Sequence, residues 1–442
     1  MRKRWFVLWM LAACGDDGVQ HLADAPPPPD VAIDAATCAP VTGAGTMHGG
    51  SIAAPETWSA AGSPHIIPFD TSITAALTIE RCAVVRIAGG KQVSVRVGGS
   101  ITTLGVAGLP VTIEKNDAAA WVSIRTLNGG TASFTYTTID GGGDPLNGNV
   151  QTSGALDIAG AAPTVTGIVH ADHLTITGSK SCGVSLHDGG GFDTSSTNVV
   201  ISGSTLSPIT TFARALGTIP TGTYTGNTAD EIIISNGAIP ESTTIHARGI
   251  PYRVGIQANA TLDVGAVTGV ATLTIEPGVT MKFSAGATFR VEPASGTNPA
   301  RGALIANGTG AAKIVLTSAS AAPVAGAWFG LWFGGLVDAT TRVDHMKVEY
   351  AGKPSVSGSD SCMYPGTTIN DAAIRLIGSA PAVVFITNTD VIMSASHGID
   401  RGFRSDTKPS YLPTNSITGF VGCRETYPRD ISGACPTPVP CP

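Results

Sequence analysis

Eleven residues, Leu273 to Phe283, read LTIEPGVTMKF and constrain this chain more than any other stretch. Leu273 and Ile275 alternate with threonine, Pro277-Gly278 turns the chain, and Val279, Met281 and Phe283 resume the alternation. Apolar residues at period two on both sides of a Pro-Gly pair predict two short strands meeting at a corner. Nearly the same text stands earlier, Leu77 to Ile87, as LTIERCAVVRI, with a basic residue next to last each time (Arg86, Lys282). A chain that bends every few residues at Gly, Pro and Asn winds its strands into coils instead of laying them in one flat sheet.

Other words recur in the same order. GSIAAPETW from Gly50 is matched by GAIPESTTI from Gly237, and Gly62-Ser-Pro64 by Gly249-Ile-Pro251. TTIDGGG ends at Gly143 and MKVEYAG at Gly352, and Ala162-Pro163 is matched by Ala380-Pro381. The offset grows from 187 to 218 along the series while the order holds, as loop insertions in a duplicated solenoid would produce. The expected fold is therefore all-β, a parallel β-helix in two tandem copies, residues 38–230 and 231–420, followed by a Cys- and Pro-rich tail, 421–442. In the second copy Trp328, Phe329, Leu331, Trp332 and Phe333 form the most aromatic strand, and this strand is expected to be lost from the first. If Leu331 and Phe333 point inward with Phe329, Trp328 and Trp332 point outward, to stack on a sugar face or to be covered by a loop.

Composition agrees with short strands and turns. Only 13% of residues are charged, against roughly a quarter in an average domain, while Gly (55) and Pro (29) are abundant. Long helices with ion-paired outer faces are not expected. The net charge of −6, with no basic cluster after residue 4, argues against nucleic acid as a partner.

At the N-terminus Arg2, Lys3 and Arg4 precede an apolar run, Trp5 to Ala13, that closes in Leu11-Ala12-Ala13-Cys14. This resembles a bacterial lipoprotein signal peptide, residues 1–13, cut before a cysteine that carries lipid. Residues 14–37, with Pro26 to Pro29, then form an extended tether. Export and a lipid anchor in the outer membrane or cell surface are expected. No later stretch approaches the ~20 apolar residues of a spanning helix. Of eight cysteines, lipidation of Cys14 leaves seven, so at most three disulfides form. One bridge is expected among Cys423, Cys435 and Cys441 of the tail, and Cys38 and Cys82 stand where they could clamp the entry of the tether. Cys182 and Cys362 have no evident partner, and no C-x-x-C spacing supports zinc.

The second block, LTIEPGVTMKF, then GALIANGTGAAKIVLTSASAAPVAGAWFGLWF, then MKVEYAG, resembles the recurring unit of right-handed parallel β-helix surface proteins with a pectate-lyase-like fold. Its leader, CGDDG, and its tail, NTDVIMSASHGIDRG before a Cys- and Pro-rich end, are similar to those of myxobacterial and related delta-proteobacterial cell-surface lipoproteins. The likeness runs over residues 231–355, fades toward 420, and is degenerate in the first copy, where Arg81-Cys82 replaces Pro-Gly. It implies the fold more than an activity.

Candidate chemistry is sparse. His170-Ala-Asp-His173 invites a metal, but its counterpart after Pro381 keeps only the Asp, as a turn would. Asp140-Gly-Gly-Gly-Asp144 and Asp188-Gly-Gly-Gly-Phe-Asp193 have calcium-loop composition without the tandem repeat that calcium rolls need, and read as glycine bends. The densest ionisable set is His397, Asp400, Arg401, Arg404 and Asp406, expected in one solvated loop. No hydrolase or nucleotide motif occurs. Trp332, His397, Asp400, Arg401 and Arg404 are the candidate ligand surface, with no catalytic residue, metal or cofactor assigned. The function expected is a monomeric, non-catalytic scaffold or adhesion module that meets the membrane through its lipid and contacts a glycan or another surface protein. The alternative is a carbohydrate-active β-helix enzyme or sugar-binding module. Replacing Cys14 by Ala should leave an unprocessed precursor that takes up no labelled fatty acid; normal labelling would refute the anchor.

Overall fold

A strand of three to five residues with one apolar face buries that face only by stacking on others, and here the stacking is along a winding axis. The computed structural model describes residues 37–442, apart from 128, 146–152, 162–164, 188, 236, 294–299 and 336. The expectations for residues 1–36, for Ala162-Pro163 and for Asp188 fall outside the described residues. Among the described residues a regular coil contributes three strands, one to each of three faces, and such strands pair in parallel with those one coil later. Face C is one sheet of fourteen strands running from Ser51–Ile52 to Ser416–Phe420. Faces A and B share a twelve-stranded sheet in the first half, where Thr131–Asp140 and Thr166–Thr177 bend from one face onto the next, and are separate sheets of six and five strands in the second. The chain is thus nearly all β, in long parallel sheets, as an all-β parallel solenoid requires.

Side chains of successive coils form columns. On the inner side of face C one column runs Ile124, Leu156, Val184, Ile209, Ile232, Tyr252, Met281, Leu316, Val348, Val391, all buried. Such stacked aliphatic columns fill the interior without any contact distant in the coil order, and they supply most of the burial that holds the fold.

The recurring words lie one face apart. Gly50 leads onto face C and Gly237 onto face A; Glu56–Trp58 lies on face A and Thr243–Ile245 on face B. Ala76–Glu80 lies on face A and Ala271–Ile275 on face B, while the TTID residues lie on face B and Met346–Glu349 on face C. Trp121, before Ile124–Thr126 of face C, and Trp328, before Gly330–Phe333 of face A, are both fully buried. Their indole N–H groups donate to the carbonyls of Asp140 (3.1 Å) and Glu349 (2.8 Å), the last residues of those two words. Ser179 Oγ donates to the Cys182 carbonyl and Ser394 Oγ to that of His397, both at 2.6 Å. One expectation is corrected here. Trp328 lies inside, stacked on Phe283 at 4.1 Å, and Phe329 is the half-exposed residue, since Gly330 (φ +128°) interrupts the alternation between 329 and 331.

The shift of one face coincides with one irregular element. The 3-10 helix Ala213–Thr218 takes the place of a face A strand between Gly190–Phe192 and the strands Gly237–Ile239 and Thr243–Ile245. At the corner that opens the first block, Cys82 adopts a left-handed conformation (φ 62°) where Gly278 (φ 82°) stands in the second. Cys82 bonds Cys38, as expected of the tether clamp. Cys423–Cys441 closes the tail on itself, Cys362 pairs with Cys435, and Cys182 is a buried free thiol. Three disulfides are those of an exported protein. Among the described residues no helix is long and apolar enough to cross a membrane.

At the first coil Trp58 and His65 stack at 5.1 Å, with His48 4.0 Å from Trp58. At the last coil the tail runs beside His397–Arg404, with Gly398 and Ile399 amides donating to the Cys423 and Arg424 carbonyls. The tail thereby occupies a face A edge that would otherwise template pairing with another chain. Replacing Trp121 or Trp328 by Ala should destabilise the protein by about 3–5 kcal/mol in either case, measured as a fall in the urea midpoint; an unshifted midpoint would contradict the buried packing.

Candidate functional site

Parallel coils set outward side chains in columns as they do inward ones, so residues far apart in sequence become neighbours. On face A the outward column reads Asp263, Arg290, Trp332, Arg375, Asp400, one residue per coil. Asp263 and Arg290 form a two-pronged ion pair at 2.7 and 2.6 Å. The Arg375 guanidinium lies 4.7 Å from the Trp332 ring centre and so occupies one face of the indole. Trp332 points outward as expected, half buried, with that face already taken.

Segment 353–371 then folds over the end of this column. Ser355 Oγ accepts from Arg375, as do the carbonyls of Ser357 (3.0 Å) and Gly358 (3.2 Å). Asp400 lies 3.5 Å from Arg375 and accepts hydrogen bonds from Ser359, Ser361 and Thr426. Both Arg375 and Asp400 are fully buried, and burial pushes the Asp400 carboxyl above its ordinary range despite Arg375 and the three hydroxyls. The expectation of a solvated loop is corrected: His397–Arg404 is a face A strand covered by segment 353–371 and by the tail. Alternating charge in HGIDRGFRSD looked loop-like because the neighbours that satisfy it lie a coil away. Arg401 is buried and bonds Glu425 (3.2 Å) and the Thr426 carbonyl (2.7 Å). Arg404 reaches outward to Asp360 at 3.0 Å. His397 Nδ1 accepts from the Cys423 amide at 2.7 Å, and Asn370 stands 3.3 Å from its Nε2. These residues assemble a lock between the last coil, the covering segment and the tail.

The other flagged residues are brought together less. Asp140 accepts from Thr177 (3.0 Å) while Asp144 pairs with Lys180 (2.7 Å), so the two ends of DGGGD diverge. His173 stacks on Tyr136 at 4.2 Å, and His170 reaches Asp193 at 3.3 Å. Among the described residues no three His, Cys, Asp or Glu side chains gather as metal ligands.

A different place collects polar groups that the sequence had left scattered. Where the helix Ala213–Thr218 interrupts face A, a cleft of ≈ 570 Å³ opens. Asp193 and Thr194 line it from the coil before the interruption, Arg214 from the helix itself, and Glu241, Thr243 and His246 from the coil after. Asp193 accepts from the Ser195 hydroxyl (2.8 Å) and amide (3.0 Å). Partial burial works upward on this carboxyl, but the bonds from Ser195 and His170 outweigh it and hold it below the usual carboxylate range. His246 pairs with Glu276 at 2.7 Å; Glu276, from the LTIE corner, also accepts the Ala247 amide, and these bonds outweigh burial to hold its carboxyl low. The one sequence signal for this place was Phe212-Ala-Arg-Ala-Leu216, a run without strand alternation among strands.

No protein-family model, no curated protein and no solved structure matches the chain.

His397 supplies the pH dependence. Burial depresses its folded pKa below the unfolded value near 6.5, against the pull of Asp371, so its contribution is fully present above that pH and is lost as pH falls through the depressed value. Protonation at Nδ1 also removes the acceptor for the Cys423 amide. Protection factors of the amides of residues 421–430, that is, exchange corrected for the intrinsic slowing of amide exchange at lower pH, should therefore fall on going from pH 7 to pH 5, and less so in His397→Gln; unchanged protection factors would contradict the lock.

Proposed function

We propose that this protein is an exported, lipid-anchored surface protein of the outer membrane or cell surface: a right-handed parallel β-helix that serves as a non-catalytic scaffold or adhesion module. Parallel crossovers are right-handed in nearly all proteins, which supports the hand. Two tandem copies are supported by the four described pairs of words and by the matched hydrogen bonds of Trp121 and Trp328 and of Ser179 and Ser394. Their common displacement by one face makes the second copy a continuation of the first, turned by a third of a revolution about the axis. Anchoring at Cys14 rests on the sequence, and the three disulfides support the export it implies.

One observation carries the non-catalytic reading. The densest acid-base set, around Arg375, Asp400 and Arg401, is buried and hydrogen-bonded within the end of the solenoid, where it acts as a structural lock. A general acid needs a raised pKa and access to substrate. Asp400 has the first without the second, and Asp193 at the cleft has the second without the first. The carbohydrate-active alternative draws its support from the cleft itself. The purified protein should release no reducing ends and no unsaturated products from pectin, alginate, glycosaminoglycan or peptidoglycan. Turnover on any of these that disappears in Glu241→Gln would establish the enzyme and overturn the scaffold.

A further inference from the structure

Beside Ala213–Thr218 the outer surface is neither a filled column nor a covered end: a cleft opens there. Its ≈ 570 Å³ lies within the range of small-molecule sites, ~300–1,000 Å³. Val165, partly exposed, supplies an apolar wall, and Thr218, Ser242 and Thr243 bring hydroxyls to the others. Asp193, Arg214 and Glu241 add flat groups able to make paired hydrogen bonds. Asp193 is oriented and ionised before any ligand arrives, because Ser195 and His170 already hold it, and that preorganisation lowers the cost of binding.

Charge decides the class of ligand. Two carboxylates face one guanidinium, and the imidazole of His246 is already opposed by Glu276. A polyanion such as a uronate chain meets like charge on both walls. A neutral chain of hydroxyls donates to the carboxylates and accepts from Arg214. We propose that this cleft binds a neutral oligosaccharide, resting on the reading of the protein as a non-catalytic surface module. The site exists because a strand was replaced: with a regular strand at 213–218 the outward column would fill the space.

The test is calorimetric titration of the full-length lipoprotein in detergent with a neutral tetramer of glucose or N-acetylglucosamine and, in parallel, with tetragalacturonate. Binding of a neutral tetramer is expected, weakened about tenfold or more in Glu241→Ala and in Arg214→Ala, as for loss of one charge-assisted hydrogen bond. Glu241 is exposed, so its variant should keep the wild-type melting temperature and circular dichroism. Arg290→Ala, on the outward column away from the cleft, should bind as the wild type does. Absence of binding by both neutral tetramers, binding unchanged in both cleft variants, or a preference for tetragalacturonate would each overturn the inference while leaving the scaffold reading in place. Cleavage of a bound tetramer would overturn the scaffold reading instead.

Discussion

In a parallel ladder the strand of one coil must sit about 4.8 Å from the strand of the next with its residues in register. On face C that condition holds from Ser51–Ile52 to Ser416–Phe420 without a break, through the region where faces A and B are reorganised. The other features follow from it. Inward residues must stack like on like, which gives the aliphatic columns. Outward charges must meet their partners along the axis, which gives Asp263 with Arg290 and Arg375 with Asp400.

The winding of the chain was legible because it is written in local chemistry. Period-two apolar residues ending at Pro-Gly gave the corner at 273–283, and the recurrence of that corner gave the solenoid. Cys38 with Cys82 was also legible, since both flank the first coils. What could not be read were relations across coils. The partner of Cys362 is Cys435, brought near only when the tail lies along the last coil. Trp121 carries no flanking text like that of Trp328, yet donates its indole N–H to the equivalent carbonyl. The charges of HGIDRGFRSD signalled a loop, because burial of Asp400 and Arg401 depends on Ser359, Ser361, Glu425 and Thr426 from other segments.

Ends and interruptions are where such a molecule departs from its own repeat, and they carry different work. At the last coil the departure is a buried polar lock, which pairs Arg375 and Arg401 and closes the sheet edge. Breaking one partner there would leave a buried charge uncompensated, a far larger loss than any surface ion pair. At Ala213–Thr218 a 3-10 helix stands in the row of face A strands, and a recess lined by Asp193, Arg214 and Glu241 opens beside it. The two departures lie on the same face, one sealed and one open. Recognition is accordingly expected at the open one.

The claim beneath all of this is that one unbroken face spans both blocks. Nitroxide labels at Ser72→Cys and Thr317→Cys sit in a single outward column of face C, nine strand spacings apart. Pulsed dipolar spectroscopy should give one narrow distance near ~43 Å, nine steps of the parallel-strand spacing. A broad distribution, or a separation far from that value, would mean that the blocks are not one continuous ladder and would contradict the solenoid.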